Sequence, residues 1–243
     1  MDLGLADNIC LVTGSTGGIG LATAELLRAE GATVVTTGRG GGDIRADLAV
    51  AGEPERVVAE TLARHGRLDV LVNNVGYSEI RKLEHVSDED WQTAFDINLM
   101  TAVRATRAAV PGMRERRAGT IVNVSSTAAK RPSTGMPDSS VMKAALLSFS
   151  RLVADLYAKD GIRCNAVTPG PTATQAWLGE GGLADQQGER DEVLAKVASG
   201  RPLGRLAEPE EIAAVIAFLC SPRTSYVTGA AWSADGGTVP IIL

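Results

Sequence analysis

Four glycines within eight residues, at positions 14, 17, 18 and 20 of Thr13-Gly14-Ser15-Thr16-Gly17-Gly18-Ile19-Gly20, carry the clearest chemical signal in the chain. Glycine reaches backbone angles closed to other residues and leaves no side chain between the main chain and a ligand. The segment before the turn, Ile9 to Val12, is short and apolar, and Leu21, Ala24, Leu26 and Leu27 after it follow helical spacing. A strand that turns through glycines into a helix presents N–H groups and the positive end of the helix dipole to an anion such as a pyrophosphate. The turn is not the Gly-x-Ser-x-Gly elbow of a hydrolase nucleophile, because Thr13 stands where the first glycine is needed.

Further polar residues recur where apolar segments end. Val34 to Thr37 predicts a second strand, closed by Gly38-Arg39. In a dinucleotide fold the residue ending this strand faces the adenosine ribose, where a carboxylate would bind a free 2′-hydroxyl. Gly38 has no carboxylate, and the Arg39 guanidinium suits a 2′-phosphate, which points to NADP in preference to NAD. Ala46-Asp47-Leu48 reads as the end of a short third strand, with Asp47 in reach of the adenine. Leu68 to Val72 predicts a buried parallel strand leading into Asn73-Asn74-Val75-Gly76. Asn98, in Phe95-Asp96-Ile97-Asn98-Leu99, is either a structural hydrogen-bond hub or part of a site. The strand Thr120 to Val124 ends in Ser125-Ser126, a long helix from Val141 to Tyr157 carries Lys143 near its start, and the strand Ile162 to Val167 is left through Pro169-Gly170-Pro171-Thr172-Ala173-Thr174.

The elements between these points alternate. Helices are expected at Pro54 to Arg64, from Ser87 onward, and at Pro209 to Leu219, with a last strand at Ala230 to Ala234. Alternating strands and helices imply an α/β fold with a doubly wound parallel sheet and right-handed crossovers. The 243 residues, 44% of them hydrophobic, suit a single domain. The glycine-bearing polar stretch from Trp177 to Gln187 is either a lid over a site or a surface insertion.

Bulk properties exclude several classes. A net charge of −5 argues against nucleic acid as the main partner, and Arg114, Arg116 and Arg117, interrupted by Glu115, read as a solvated helix end. Cys10, Cys164 and Cys220 are scattered in apolar segments without metal-ligand spacing, and His65 and His85 sit in helix-end or loop contexts, so neither zinc nor a Ser-His-Asp triad is expected. No charged-then-apolar leader opens the sequence, and no apolar segment reaches the about twenty residues of a membrane span, so a cytoplasmic protein is expected.

Taken together, these stretches make the chain similar, end to end, to the short-chain dehydrogenase/reductase family. The likeness also covers Val122-Asn123-Val124-Ser125-Ser126, Arg201-Pro202-Leu203-Gly204-Arg205 and Asp235-Gly236-Gly237. It implies a three-layer, Rossmann-type α/β/α domain with a substrate lid at about 174–198. Cofactor contacts are implied at Gly14, Ser15, Thr16, Gly18, Ile19, Gly20, Arg39, Asp47, Leu48, Asn74, Gly76, Lys143, Pro169, Gly170, Thr172 and Thr174. The resemblance further implies a homotetramer or dimer built on the helix ending at Tyr157 and the C-terminal segment.

Catalysis in this family rests on Asn, Ser, Tyr and Lys, which map onto Asn98, Ser126 and Lys143 but leave Ser139 at the tyrosine position. Counting forward from Ser126 and back from Lys143 gives the same residue, and no tyrosine in the chain is followed by lysine at the fourth position. A serine hydroxyl is a weaker acid than a phenol and reaches less far, while the alkoxide formed by hydride transfer needs a proton donor. Two classes of function follow. One is an NADP(H)-dependent oxidoreductase interconverting a ketone and a secondary alcohol on a small or carrier-bound substrate, with a water held by Ser139 and Lys143, or Tyr77 or Asp138, supplying the proton. The other is a cofactor-binding homologue without redox turnover: a lyase or isomerase, a binding module, a partner subunit, or a chain whose tyrosine was replaced by design.

Overall fold

The computed structural model describes residues 2–240. The apolar end of the tail, 241–243, expected to pack on a neighbouring subunit, lies outside the described residues. Seven parallel strands form one sheet: β1 (Ile9–Val12), β2 (Thr33–Gly38), β3 (Ile44–Arg45), β4 (Val70–Asn73), β5 (Gly119–Val124), β6 (Ile162–Pro169) and β7 (Ala231–Ala234), in the order β3-β2-β1-β4-β5-β6-β7. The order reverses between β1 and β4, which opens a crevice at the carboxyl ends of the strands.

Side-chain alternation builds two cores. Leu11, Leu71 and Ile121 face one side of the sheet and pack with Val57 of α2 (Glu53–His65), Met113 of α4 (Thr101–Arg116) and Val153 of α5 (Pro137–Tyr157). Cys10, Val12, Val72 and Val122 face the other side, against Leu27 of α1 (Gly18–Ala29) and Ile216 of α8 (Pro209–Cys220). Between β4 and α4, a Ser87 capping box opens α3 (Asp88–Phe95), which passes through a wider turn at Asp96–Met100. After β6 come α6 (Gln175–Leu178) and α7 (Arg190–Ser199). All three cysteines are free and buried, His65 ends α2, and His85 ends a short turn. Among the described residues, no helix is long and apolar enough to cross a membrane.

Several boundaries differ from the sequence expectation. The third strand is Ile44–Arg45, earlier than expected, because Asp43 ties back to Thr36 through its backbone N–H (2.8 Å) and hydroxyl (2.7 Å). Asp47 instead opens a turn by accepting the Ala49 N–H at 3.1 Å. Helix α5 starts at Pro137 and not at Val141, since proline at a first helical position is pre-set for the helix. That earlier start carries both Ser139 and Lys143 on one helical face. Arg114 pairs with Asp160, and Arg116 and Arg117 donate to the carbonyls of Leu68 and Lys159, so this basic end of α4 serves the fold.

The turn between β1 and α1 is closely packed. Thr13 Oγ1 donates to the Val72 carbonyl and accepts the Asn74 N–H, and Asn74 Nδ2 donates to the carbonyls of Thr13 and Gly14. A Cβ on Gly20 would collide with the Gly14 carbonyl oxygen and Asn74 Nδ2, whereas one on Gly17 would meet nothing within 4 Å. Gly20→Ala should therefore cost about 1–3 kcal/mol in urea unfolding through overpacking. Gly17→Ala should cost less than about 1 kcal/mol. Equal effects would show that the turn relaxes freely.

Candidate active site

A cleft of about 650 Å³ follows the carboxyl ends of the strands from the glycine turn to the start of α5. At its phosphate end, Gly14 and Gly18 adopt left-handed backbone angles, with φ of 61° and 54°. Helix α1 follows its N-cap Gly17 with no side-chain cap and no acidic residue in its first turn, while α3 and α8 both open with capping boxes. Its first N–H groups thus face the cleft as an anion site. Thr16 and Ile19 line the cleft beside them. Ser15 and Gly20 do not. The Ser15 hydroxyl donates to the Val12 carbonyl at 2.7 Å and accepts the Thr37 N–H at 3.0 Å, so its side chain is spent on holding the turn to β2.

At the far end lie Gly38, Arg39, Asp47 and Leu48. A Cβ at Gly38 would fall 2.6 Å from Thr16 Oγ1, so a carboxylate there would require Thr16 to move. Arg39 is exposed beside it, and its carbonyl accepts Arg45 Nε at 2.9 Å. Asn74 and Gly76 from the β4 loop, and Pro169, Gly170, Thr172 and Thr174 from the β6 loop, complete the cofactor-facing walls. A Cβ on Gly18 would lie 3.0 Å from Thr174 Cγ2, so the β6 loop closes directly onto the glycine turn.

The reacting end is organised by Lys143. Its ammonium donates to the Val124 carbonyl at 3.0 Å and the Val75 carbonyl at 3.5 Å, bridging the ends of β5 and β4. No carboxylate among the described residues pairs with it, and burial lowers its pKa from 10.5 to about 8. The Ser125 hydroxyl donates to the Lys143 carbonyl and anchors the helix, and Ser126 presents its hydroxyl to the cleft while accepting the Ala128 N–H at 3.1 Å. Asn98 is 1% exposed and does not line the cleft. Its Oδ1 accepts the Tyr77 N–H and its Nδ2 donates to the Tyr77 carbonyl, both at 2.9 Å, clamping the loop after β4. Both ends of the Asn98 amide are thus met by the Tyr77 backbone, as a structural hub requires.

Residues that sequence reasoning missed surround Ser139. Ser78 Oγ lies 2.9 Å from Ser139 Oγ, joining the clamped loop to α5. Arg81 pairs with Glu79 at 2.5 Å and Asp90 at 3.2 Å, and its N–H donates to the Gly135 carbonyl. The Tyr77 hydroxyl donates to Glu79, and burial together with that carboxylate pushes its pKa up. Asp138 is 1% exposed, outside the cleft, with Oδ1 accepting the Ser139 N–H. From the segment after β6, Trp177 and Leu183 face the cleft and Leu178 does not.

A family model described as "Enoyl-(Acyl carrier protein) reductase" matches residues 14–239. The short-chain reductase protein NovJ of Streptomyces niveus is 36% identical, over 95% of this chain and 94% of that protein. The 3-oxoacyl-[acyl-carrier-protein] reductase FabG of Thermotoga maritima is 34% identical, over 97% and 99%. The chain belongs to the short-chain dehydrogenase/reductase family. Among solved members, the L-sorbose reductase of Gluconobacter frateurii, complexed with NADPH and L-sorbose, superposes with a TM-score of 0.91 at 34% identity, each chain fully covered.

Burying an ammonium without a counter-ion makes stability depend on pH. Because the folded-state pKa of Lys143 lies below its unfolded value, the unfolded chain binds more protons between about pH 8 and 10.5, and stability rises with pH there. The shift corresponds to about 3 kcal/mol. Between pH 7 and pH 10 the apo protein should gain about 2–3 kcal/mol in urea unfolding relative to Lys143→Met. A difference that stays flat over this range would show that Lys143 is not desolvated.

Proposed function

We propose that the protein is an NADP(H)-dependent oxidoreductase that interconverts a ketone and a secondary alcohol on a small or carrier-bound substrate. The observation that carries this reading is Lys143, a buried ammonium without a counter-ion at the base of the dinucleotide cleft, flanked by the Ser126 hydroxyl. The uncapped α1 terminus and the open space at Gly17 fit a pyrophosphate. Arg39, next to a Gly38 crowded against a carboxylate, fits a 2′-phosphate. The NADPH bound by the L-sorbose reductase supports the same choice.

When bound, the nicotinamide would supply or accept the hydride exchanged with the carbonyl carbon. Ser126 would hydrogen-bond to the carbonyl oxygen, and Lys143 would hold ribose hydroxyls and keep positive charge beneath the developing oxyanion. For the proton, Tyr77 is a poor source, because its hydroxyl is committed to Glu79 and its acidity is reduced. Asp138 lies outside the cleft. That leaves the Ser139 hydroxyl, and a water upon it, backed by Lys143. The family's oligomers are a model for this chain's own assembly: on α5, Leu146 and Val153 are core, whereas Leu152 and Leu156 are exposed and available to a second subunit.

Ser139 itself favours a second reading, a cofactor-binding homologue without turnover. Purified protein with NADPH and a carbonyl panel separates the two: the redox reading expects consumption of NADPH at 340 nm, a wavelength set by the nicotinamide, and the rival expects binding alone. Ser139→Tyr should raise kcat by about tenfold or more if only the acid is deficient. No gain would point to a pocket adapted to other chemistry. Arg39→Ala should weaken NADPH by about tenfold or more while leaving NADH within about twofold, measured by fluorescence titration. Equal losses would overturn the NADP assignment.

A further inference from the structure

Resting on the redox reading above, the geometry points to a substrate class: we propose that the substrate is an uncharged ketone carrying a hydroxyl on the carbon beside the carbonyl, seated on the paired hydroxyls of Ser78 and Ser139. The two oxygens lie 2.9 Å apart and both side chains face the cleft. Each hydroxyl has one donor and two acceptor sites, so the pair retains capacity for a further hydroxyl after bonding to each other. Ser139 is short, so the volume a phenol would fill remains open to substrate.

The pair is held in place from several directions. Asn98 clamps the Tyr77 backbone at both its N–H and its carbonyl. The Ile80 N–H donates to Gln186 Oε1 and the Arg81 N–H to the Gly135 carbonyl, both within 2.9 Å. Fixed polar groups discriminate strongly, because a ligand lacking the matching hydroxyl leaves them unpaired.

Charge narrows the class further. The side chains that line the cleft around Lys143 are Tyr77, Ser78, Ser126, Ser139, Gln175 and Trp177, all uncharged. Arg39 and Asp47 lie at the opposite, adenine end. Among the described residues that line this end, none offers a guanidinium to a carboxylate-bearing substrate. Hydroxyl, amide and indole groups instead match a neutral, hydroxylated carbon chain, with the Trp177 ring offering an apolar face to its C–H groups. A neighbouring hydroxyl also eases the missing acid: it hydrogen-bonds within the substrate to the oxygen that becomes the alkoxide, stabilising charge that a phenol would otherwise stabilise.

Three near-isosteric probes test this on the NADPH-loaded protein: hydroxyacetone, butanone and pyruvate. Hydroxyacetone should exceed butanone in kcat/KM by about tenfold or more, with pyruvate below both. In Ser78→Ala the preference for hydroxyacetone over butanone should collapse to within about threefold. Binding of the same three probes, followed by saturation-transfer NMR, should give the same order and the same collapse whether or not NADPH is consumed. Equal binding of hydroxyacetone and butanone, preference for pyruvate, or a preference unaltered in Ser78→Ala would overturn the inference. Selective binding of hydroxyacetone without turnover would uphold it and count against the redox reading alone.

Discussion

The bond from the Lys143 ammonium to the Val124 carbonyl is the constraint on which the reacting end depends. A charge in a site this dry costs several kcal/mol unless the backbone meets it, and the ends of β5 and β4 supply carbonyls at the place where the ladder stops. Helix α5 must therefore lie against the sheet in one register. A buried amide chain enforces it: Asn73 Nδ2 donates to Asn123 Oδ1, Asn123 Nδ2 to Ser150 Oγ, and Ser150 Oγ to the Leu146 carbonyl. Two strands and the helix are thereby pinned at Ser150, about two turns beyond the lysine. Ser139, one turn before it, inherits its position from the same pinning.

The two ends of the cleft are built from different materials. At the phosphate end the ligand-facing groups are main-chain N–H, and the side chains of Thr13, Ser15 and Asn74 work behind them to hold the turn. At the reacting end, side chains face the ligand and backbone works behind them. Substitution is therefore felt differently. Gly20 has no tolerance, because backbone lies within the reach of any Cβ. Position 139 tolerates a serine, because a short hydroxyl there finds Ser78 at 2.9 Å and leaves no buried group unpaired.

That contrast also explains what was legible from sequence. The doubly wound sheet, the glycine turn and the helix bearing Lys143 were readable because each rests on local periodicity and on glycine chemistry. The strand at Ile44–Arg45 was displaced in the reading because its start depends on Asp43 reaching back to Thr36, a contact between strands. Ser15 was expected at the ligand, and neither its side chain nor that of Asn98, left open between hub and site, lines the cleft: type and spacing report that a polar residue is near a site, not which way its side chain turns. Ser78 was invisible for the same reason. Nothing in Tyr77-Ser78-Glu79 marks it, and only the Asn98 clamp on Tyr77 brings its hydroxyl to Ser139. Its place as the second residue after the Asn-Asn-Val-Gly turn is the one signal that could have raised it.

The loop from Tyr77 to Arg81 then links parts of the site that the sheet alone leaves separate. It meets α5 at Ser139, the segment after β6 at Gln186, and the loop before α5 at Gly135. Arg81 adds ion pairs to Glu79 and Asp90, partly exposed and of modest worth individually, but converging on one guanidinium whose side chain is only 21% exposed. A loop held at so many points cannot shift to let a water or a substrate choose its own hydrogen bonds. With a phenol at position 139, the acid would set the chemistry and this loop would be a wall. With serine there, the loop places the Ser78 hydroxyl 2.9 Å from that of Ser139, and on the proposed reading specificity and proton supply come to rest on the same few atoms. On that reading, a substitution that rebuilt the phenol would restore acidity by filling the space the two hydroxyls leave to a substrate, and rate and selectivity would then change in opposite directions.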